Sequence, residues 1–127
     1  MRVEITVPVE VRRGDSVPIA LRLVNEADTA VEVALQGRPV AFDITVTRPG
    51  GELVWRRLAG ETVTAILQLR RVPPGESLDF RTAWDQRSAG GELVPAGEYM
   101  VKGAIPSDPP TVLRSGAAKL RIVPSTP

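Results

Sequence analysis

The side chains most often recruited for chemistry are missing from this sequence, which has no histidine and no cysteine. That excludes disulfides, thiolate nucleophiles, Cys/His zinc sites, iron–sulfur clusters and every Ser–His or Cys–His catalytic pairing. Reactive capacity is confined to 15 carboxylates, two lysines (Lys102 and Lys119), one tyrosine and hydroxyls. Carboxylates can catalyse in pairs, and Glu92 with Glu98 would suit a glycosidase if held about 5–10 Å apart. A domain this small leaves little room for the deep cleft such a reaction needs, so no catalytic residue is expected. Asn25-Glu26-Ala27-Asp28 carries three oxygen-bearing side chains. It lacks the ligand density and glycine placement of an EF-hand loop and reads as a polar hairpin turn. No metal and no cofactor are expected.

With catalysis set aside, binding remains. The segment Pro106-Ser107-Asp108-Pro109-Pro110-Thr111-Val112-Leu113-Arg114-Ser115 holds three prolines, which restrict its backbone. A stiff, extended segment loses less on binding, since immobilising a flexible side chain costs about 0.5–1.5 kcal/mol. Pro109, Pro110, Val112, Leu113 and Arg114 are its candidate contact residues. The plainer reading is a solvated connector between the last two strands. Trp55 and Trp84 are of the type enriched at interface hot spots, but their polar neighbours place them on the core-facing sides of strands. Arg56-Arg57 and Arg70-Arg71 each present one arginine per face, because successive strand residues point opposite ways. A solvated surface is expected for both pairs.

The elements that would carry these residues are legible in composition and punctuation. A chain of 127 residues that is 43% apolar and 24% charged fits one globular domain, residues 1–127. Aromatics are only 4%, so aliphatic side chains, 17 valines among them, must fill the core. Twelve prolines and eleven glycines favour many turns over long helices. The net charge of +1 is spread along the chain, and no basic block marks a nucleic-acid footprint. No run approaches the ~18 apolar residues of a membrane span. Residues 1–5 alternate charged and apolar types, unlike a signal peptide, although a trimmed export signal would leave no trace. Absent cysteine fits a reducing compartment.

Between turns the apolar residues alternate with period two, the mark of strands with one buried and one wet face. Val3, Ile5, Val7, Val9 and Val11 share a face, and Pro8, unable to donate to a ladder, predicts an edge, a break or a switch of sheets there. Val17, Ile19, Leu21 and Leu23 form another such face. The pattern recurs in Phe42, Ile44 and Val46; in Leu53 and Trp55; in Leu78, Phe80 and Trp84; in Tyr99, Val101 and Ile105; and in Leu120 and Ile122. Residues 64–72 are expected to add a strand. The prediction is an all-β, immunoglobulin-like antiparallel sandwich of about eight to nine strands in two sheets. Tyr99, just after the Pro95-Ala96-Gly97 turn, is placed for either a tyrosine corner or plain core.

A series of short motifs then suggests a family. It runs through Leu21-Arg22-Leu23-Val24-Asn25, Phe42-Asp43-Ile44-Thr45-Val46 and Gly51-Glu52-Leu53-Val54-Trp55. It continues through Pro73-Pro74-Gly75-Glu76-Ser77 and Trp84-Asp85 to Gly91-Glu92-Leu93-Val94-Pro95-Ala96-Gly97-Glu98-Tyr99. Over residues 17–105 the order and spacing resemble the intracellular proteinase inhibitor domain of bacilli, BsuPI. The chain departs from that pattern after Trp55, where Arg56-Arg57-Leu58-Ala59 replaces expected aromatics and a Ser, and at Val63, where Phe is usual. The resemblance implies an immunoglobulin-like sandwich, a cytoplasmic bacterial setting and inhibition of a subtilisin-type serine protease; the candidate protease-contact segment, 106–115, is read from its own residues and lies beyond the resemblance. It fixes no inhibitory residue. The competing expectation is a structural or adhesive module, whole or part of a longer chain, assembling through an edge strand such as Val3 to Val11.

Overall fold

The computed structural model describes residues 1–37, 40–59, 66–108 and 111–125. These contain eleven strands and no helix. Three strands form the smaller sheet: β1 (Arg2–Thr6), β3 (Val17–Val24) and β8 (Ser77–Trp84), in the order β1-β3-β8, all antiparallel. The larger, eight-stranded sheet is organised around the long strand β9 (Gly97–Asp108). One flank of β9 pairs first with β11 (Ala118–Val123) and then with β10 (Thr111–Arg114). The other pairs first with β5 (Asp43–Thr47), which carries β6 (Leu53–Arg56), and then with β4 (Val31–Gln36), which carries β7 (Leu67–Val72).

The expected sandwich is present, with more strands than the eight to nine predicted and one parallel pairing. The parallel pairing and one of the added strands start at Pro8; the other added strand is β10, in the segment expected to be a connector. The N-terminal segment does not run as one strand: β1 ends at Thr6 in the small sheet, and β2 (Glu10–Arg12) pairs in parallel with β11 in the large one. The missing proline donor marks the switch. Val9, expected to face inward with Val7 and Val11, sits in the crossing and is 82% exposed.

Period-two alternation holds elsewhere. Val17, Ile19, Leu21 and Leu23 of β3 are buried against Ile44, Val46, Tyr99, Val101, Ile105, Leu120 and Ile122 of the large sheet. At β6 the pattern slips. The register shifts between Val46 and Thr47, pairing Val46 with Trp55 but Thr47 with Leu53. That bulge leaves Trp55 stacked on buried Trp84 (centroids 6.0 Å apart) and turns Leu53 outward. The strand expected over 64–72 is β7, Leu67–Val72; residues 60–65 lie outside the described residues.

Two buried polar side chains close the ends of the sandwich. Asn25 donates from Nδ2 to the carbonyls of Thr29 and Val72 (2.9 Å each), and its Oδ1 accepts from Ala27 N. The 25–28 segment is thus a turn pinned to the end of β7. Gln86, at φ 62°, donates to the carbonyls of Arg12 and Asp15 (2.7 and 2.8 Å) and accepts from Gly14 N. It ties the β2–β3 turn to the loop after β8. Every polar group it buries is paired, as a buried amide requires.

Candidate functional site

The segment singled out for binding is a β-hairpin. Pro106, Ser107 and Asp108 end β9, and Thr111–Arg114 return as β10, with Thr111 opposite Ser107, Val112 opposite Pro106, Leu113 opposite Ile105 and Arg114 opposite Ala104. Pro109 and Pro110 lie outside the described residues, so the tip carries no structural account. Alternation sends Leu113 inward, half-buried against the core, and Arg114 outward and exposed. The connector expected from the sequence is therefore continuous with the sheet: ladder bonds, not only prolines, hold it extended.

Two residues hold the base of the hairpin. Gly103, in the middle of β9, packs where a Cβ would overlap Leu21 Cδ2 and lie 2.7 and 2.9 Å from its Cδ1 and Cγ. Only glycine lets β9 approach the facing sheet this closely. Ser115, just past β10, binds Gly103 through both strands' backbone and its own hydroxyl. Its N donates to Gly103 O (2.9 Å), and its Oγ accepts from Gly103 N (2.8 Å). Ser115 also bridges in parallel to Val3 of β1. Leu113, Ser115 and Gly103 together fix the root of the hairpin to both sheets.

The N-terminal half of β9 is fixed by its tyrosine. Tyr99 is fully buried, and its hydroxyl donates to Pro95 O at 2.6 Å, four residues back, making the tyrosine corner that the sequence had left open against plain core. The same hydroxyl accepts from Arg48 Nη1 (2.8 Å), whose guanidinium lies 5.1 Å from the ring centroid. Arg56 is exposed as expected and Arg57 is half-buried, and both also make structural contacts. Arg56 donates twice to Asp43 Oδ2 (3.0 and 2.6 Å), and Asp43 Oδ1 accepts from Leu58 N. Arg57 donates to Phe42 O (2.7 Å) with its guanidinium 3.8 Å above the Phe42 ring. The loop that departs from the family pattern after Trp55 is thus used to tie β6 to β5. Arg70 and Arg71 are exposed on β7, with Arg70 reaching Gln68.

Glu92 and Glu98 are both exposed, the first in the connection between β8 and β9 and the second on β9. Among the described residues no group of three or more acidic side chains is placed to hold a metal ion. Among the described residues no helix is long and apolar enough to cross a membrane. Sequence reasoning missed Gly103, Ser115, Arg48 and Gln86 as positioning residues. Only Gly103 left a signal, a glycine inside an otherwise regular strand pattern.

The comparisons agree with the motif series. The model of the intracellular proteinase inhibitor (BsuPI) family matches residues 3–109, and the chain belongs to that family. No curated protein matches it in sequence. Similar solved structures include the alkylpurine DNA glycosylase AlkC of Pseudomonas fluorescens (14% identity, TM-score 0.49) and the sporulation control protein Spo0M of Bacillus subtilis (12%, TM-score 0.49). A third is a β-glucosidase of Erythrobacter marinus (14%, TM-score 0.47). Each match covers 95–97% of this chain but only 30%, 48% and 15% of the respective partner, so the chain spans less than half of each.

Proposed function

We propose that this member of the intracellular proteinase inhibitor family blocks a subtilisin-type serine protease by seating the β9–β10 hairpin, residues 106–114, in the protease cleft. Family membership supports an inhibitor whose partner is a protein. The observation that carries the hairpin is its preorganisation. It is extended by pairing, rooted through Leu113, Gly103 and Ser115, and presents Arg114 outward. A segment already held extended avoids the ordering cost that a free loop pays on binding. In this reading Arg114 makes the contact and Leu113 anchors, with Pro109, Pro110 and Val112 as further candidate contact residues. No group on the chain performs chemistry on the protease.

Titration of the protein into a panel of subtilisin-type enzymes at known active-site concentration tests the reading. Loss of activity ending near one equivalent is expected; full activity across the panel at about 100-fold excess contradicts it.

A second reading has its own observation. Leu67 and Leu69 of β7 are 52% and 65% exposed, and among the described residues β7 pairs with β4 alone. Exposed leucines on an outer strand suit assembly through strand addition, with β7 in place of the Val3 to Val11 segment. Light scattering that returns a dimer or larger species would favour this module over the inhibitor.

A further inference from the structure

The cations that are scattered along the sequence are gathered by the large sheet onto its outer face. Strand alternation and register place Lys102 of β9, Lys119 and Arg121 of β11, Arg114 of β10 and Arg12 of β2 on that face, all exposed. Lys119 lies opposite Met100, and Arg121 opposite Glu98 and Glu10; Arg114 lies opposite Ala104, two residues along β9 from Lys102. Both lysines of the chain are therefore on one side of one sheet. Among the described residues none of these five cations makes an ion pair. The acids placed on this face by the same register are Glu10 and Glu98, Asp43, which is taken up by Arg56, and Glu32 of β4, which lies opposite Arg71 of β7. In the part of the face formed by β2, β11, β10 and residues 98–104 of β9, the five cations stand against two acids, Glu10 and Glu98. On the outer face of the small sheet Arg2 pairs with Glu4 and Glu26 and Arg22 with Asp79, which leaves Arg81 as the one cation there outside an ion pair among the described residues. Half-buried Met100 and Ala104 give the basic face an apolar centre.

We infer that this face docks against an acidic surface of the protease beside its cleft and steers the hairpin into place. The inference rests on the inhibitor reading, because Arg114 belongs to both the hairpin and the basic face and joins them into one contact. Complementary charge acts chiefly on encounter, raising association rates by tenfold or more at low salt and losing that gain as salt screens it.

Stopped-flow association with an inhibited protease identified in the titration above is the test, with Arg114 left intact. For wild type, the association rate should fall about tenfold or more between roughly 0.02 and 0.5 M salt. The triple variants K102Q/K119Q/R121Q and K102E/K119E/R121E should lower it stepwise at low salt while the dissociation rate changes less than threefold. Circular dichroism and thermal melts verify that each variant folds; the Gln variant serves if the Glu variant does not. A salt-insensitive rate, or variants that associate like wild type, overturns the basic-face inference while leaving inhibition standing. Duplex DNA binding more tightly than the protease at the same salt would also overturn it, by assigning the face to nucleic acid. If wild type inhibits no enzyme at all, it is the inhibitor reading that fails.

Discussion

Single atoms decide how β9 sits. Tyr99→Phe removes one hydroxyl that both donates to Pro95 O and accepts from Arg48. With a buried ring unchanged, the loss should be about 1–2 kcal/mol and lower Tm by roughly 4–8 °C, read by thermal melt. Gly103→Ala adds one methyl where Leu21 already stands. Overpacking of that kind costs about 1–3 kcal/mol. Because the clash has one named partner, Leu21→Ala combined with Gly103→Ala should destabilise by less than the sum of the two single changes. Strict additivity in that double-mutant cycle would show that the close approach of β9 to β3 does not set the cost.

At the scale of the element, the hairpin is held by its root. Ser115→Ala deprives Gly103 N of its acceptor and loosens the return strand. Inhibition of a susceptible protease should weaken about 3–10-fold, equivalent to about 0.7–1.4 kcal/mol. Arg114→Ala should weaken it by tenfold or more with Tm moved by less than about 2 °C, as expected for an exposed contact residue. Unchanged inhibition would remove the hairpin's arginine from the contact. The strands themselves were legible because alternation is a local property: Val17 to Leu23 and Tyr99 to Ile105 needed no tertiary information. The break at Pro8 was legible for the same reason, proline lacking a ladder donor. The outward turn of Leu53 was not, since a bulge is a fact of pairing between two strands. Nor was the pairing of Arg56 with Asp43, thirteen residues away, or the burial of Gln86, whose three partners come from a turn more than seventy residues earlier.

Across the whole molecule the same limit governs charge. No stretch of the chain is basic, and the accumulation of Lys102, Arg114, Lys119 and Arg121 on one face exists only once β9, β10 and β11 lie side by side. The sandwich therefore separates its tasks. The small sheet and the two buried amides keep the core closed, while β9 forms one arm of the hairpin and pairs with β10 and β11, which carry most of the cations of the basic face. In the proposed inhibition this strand delivers the hairpin into a protease's catalytic cleft. Labelling of the catalytic serine by a small covalent probe reports on that cleft directly. With one equivalent of the protein bound to a susceptible protease, labelling should slow at least tenfold and recover with Arg114→Ala at the same concentration. A catalytic serine that labels at its free rate while the complex is intact would contradict it.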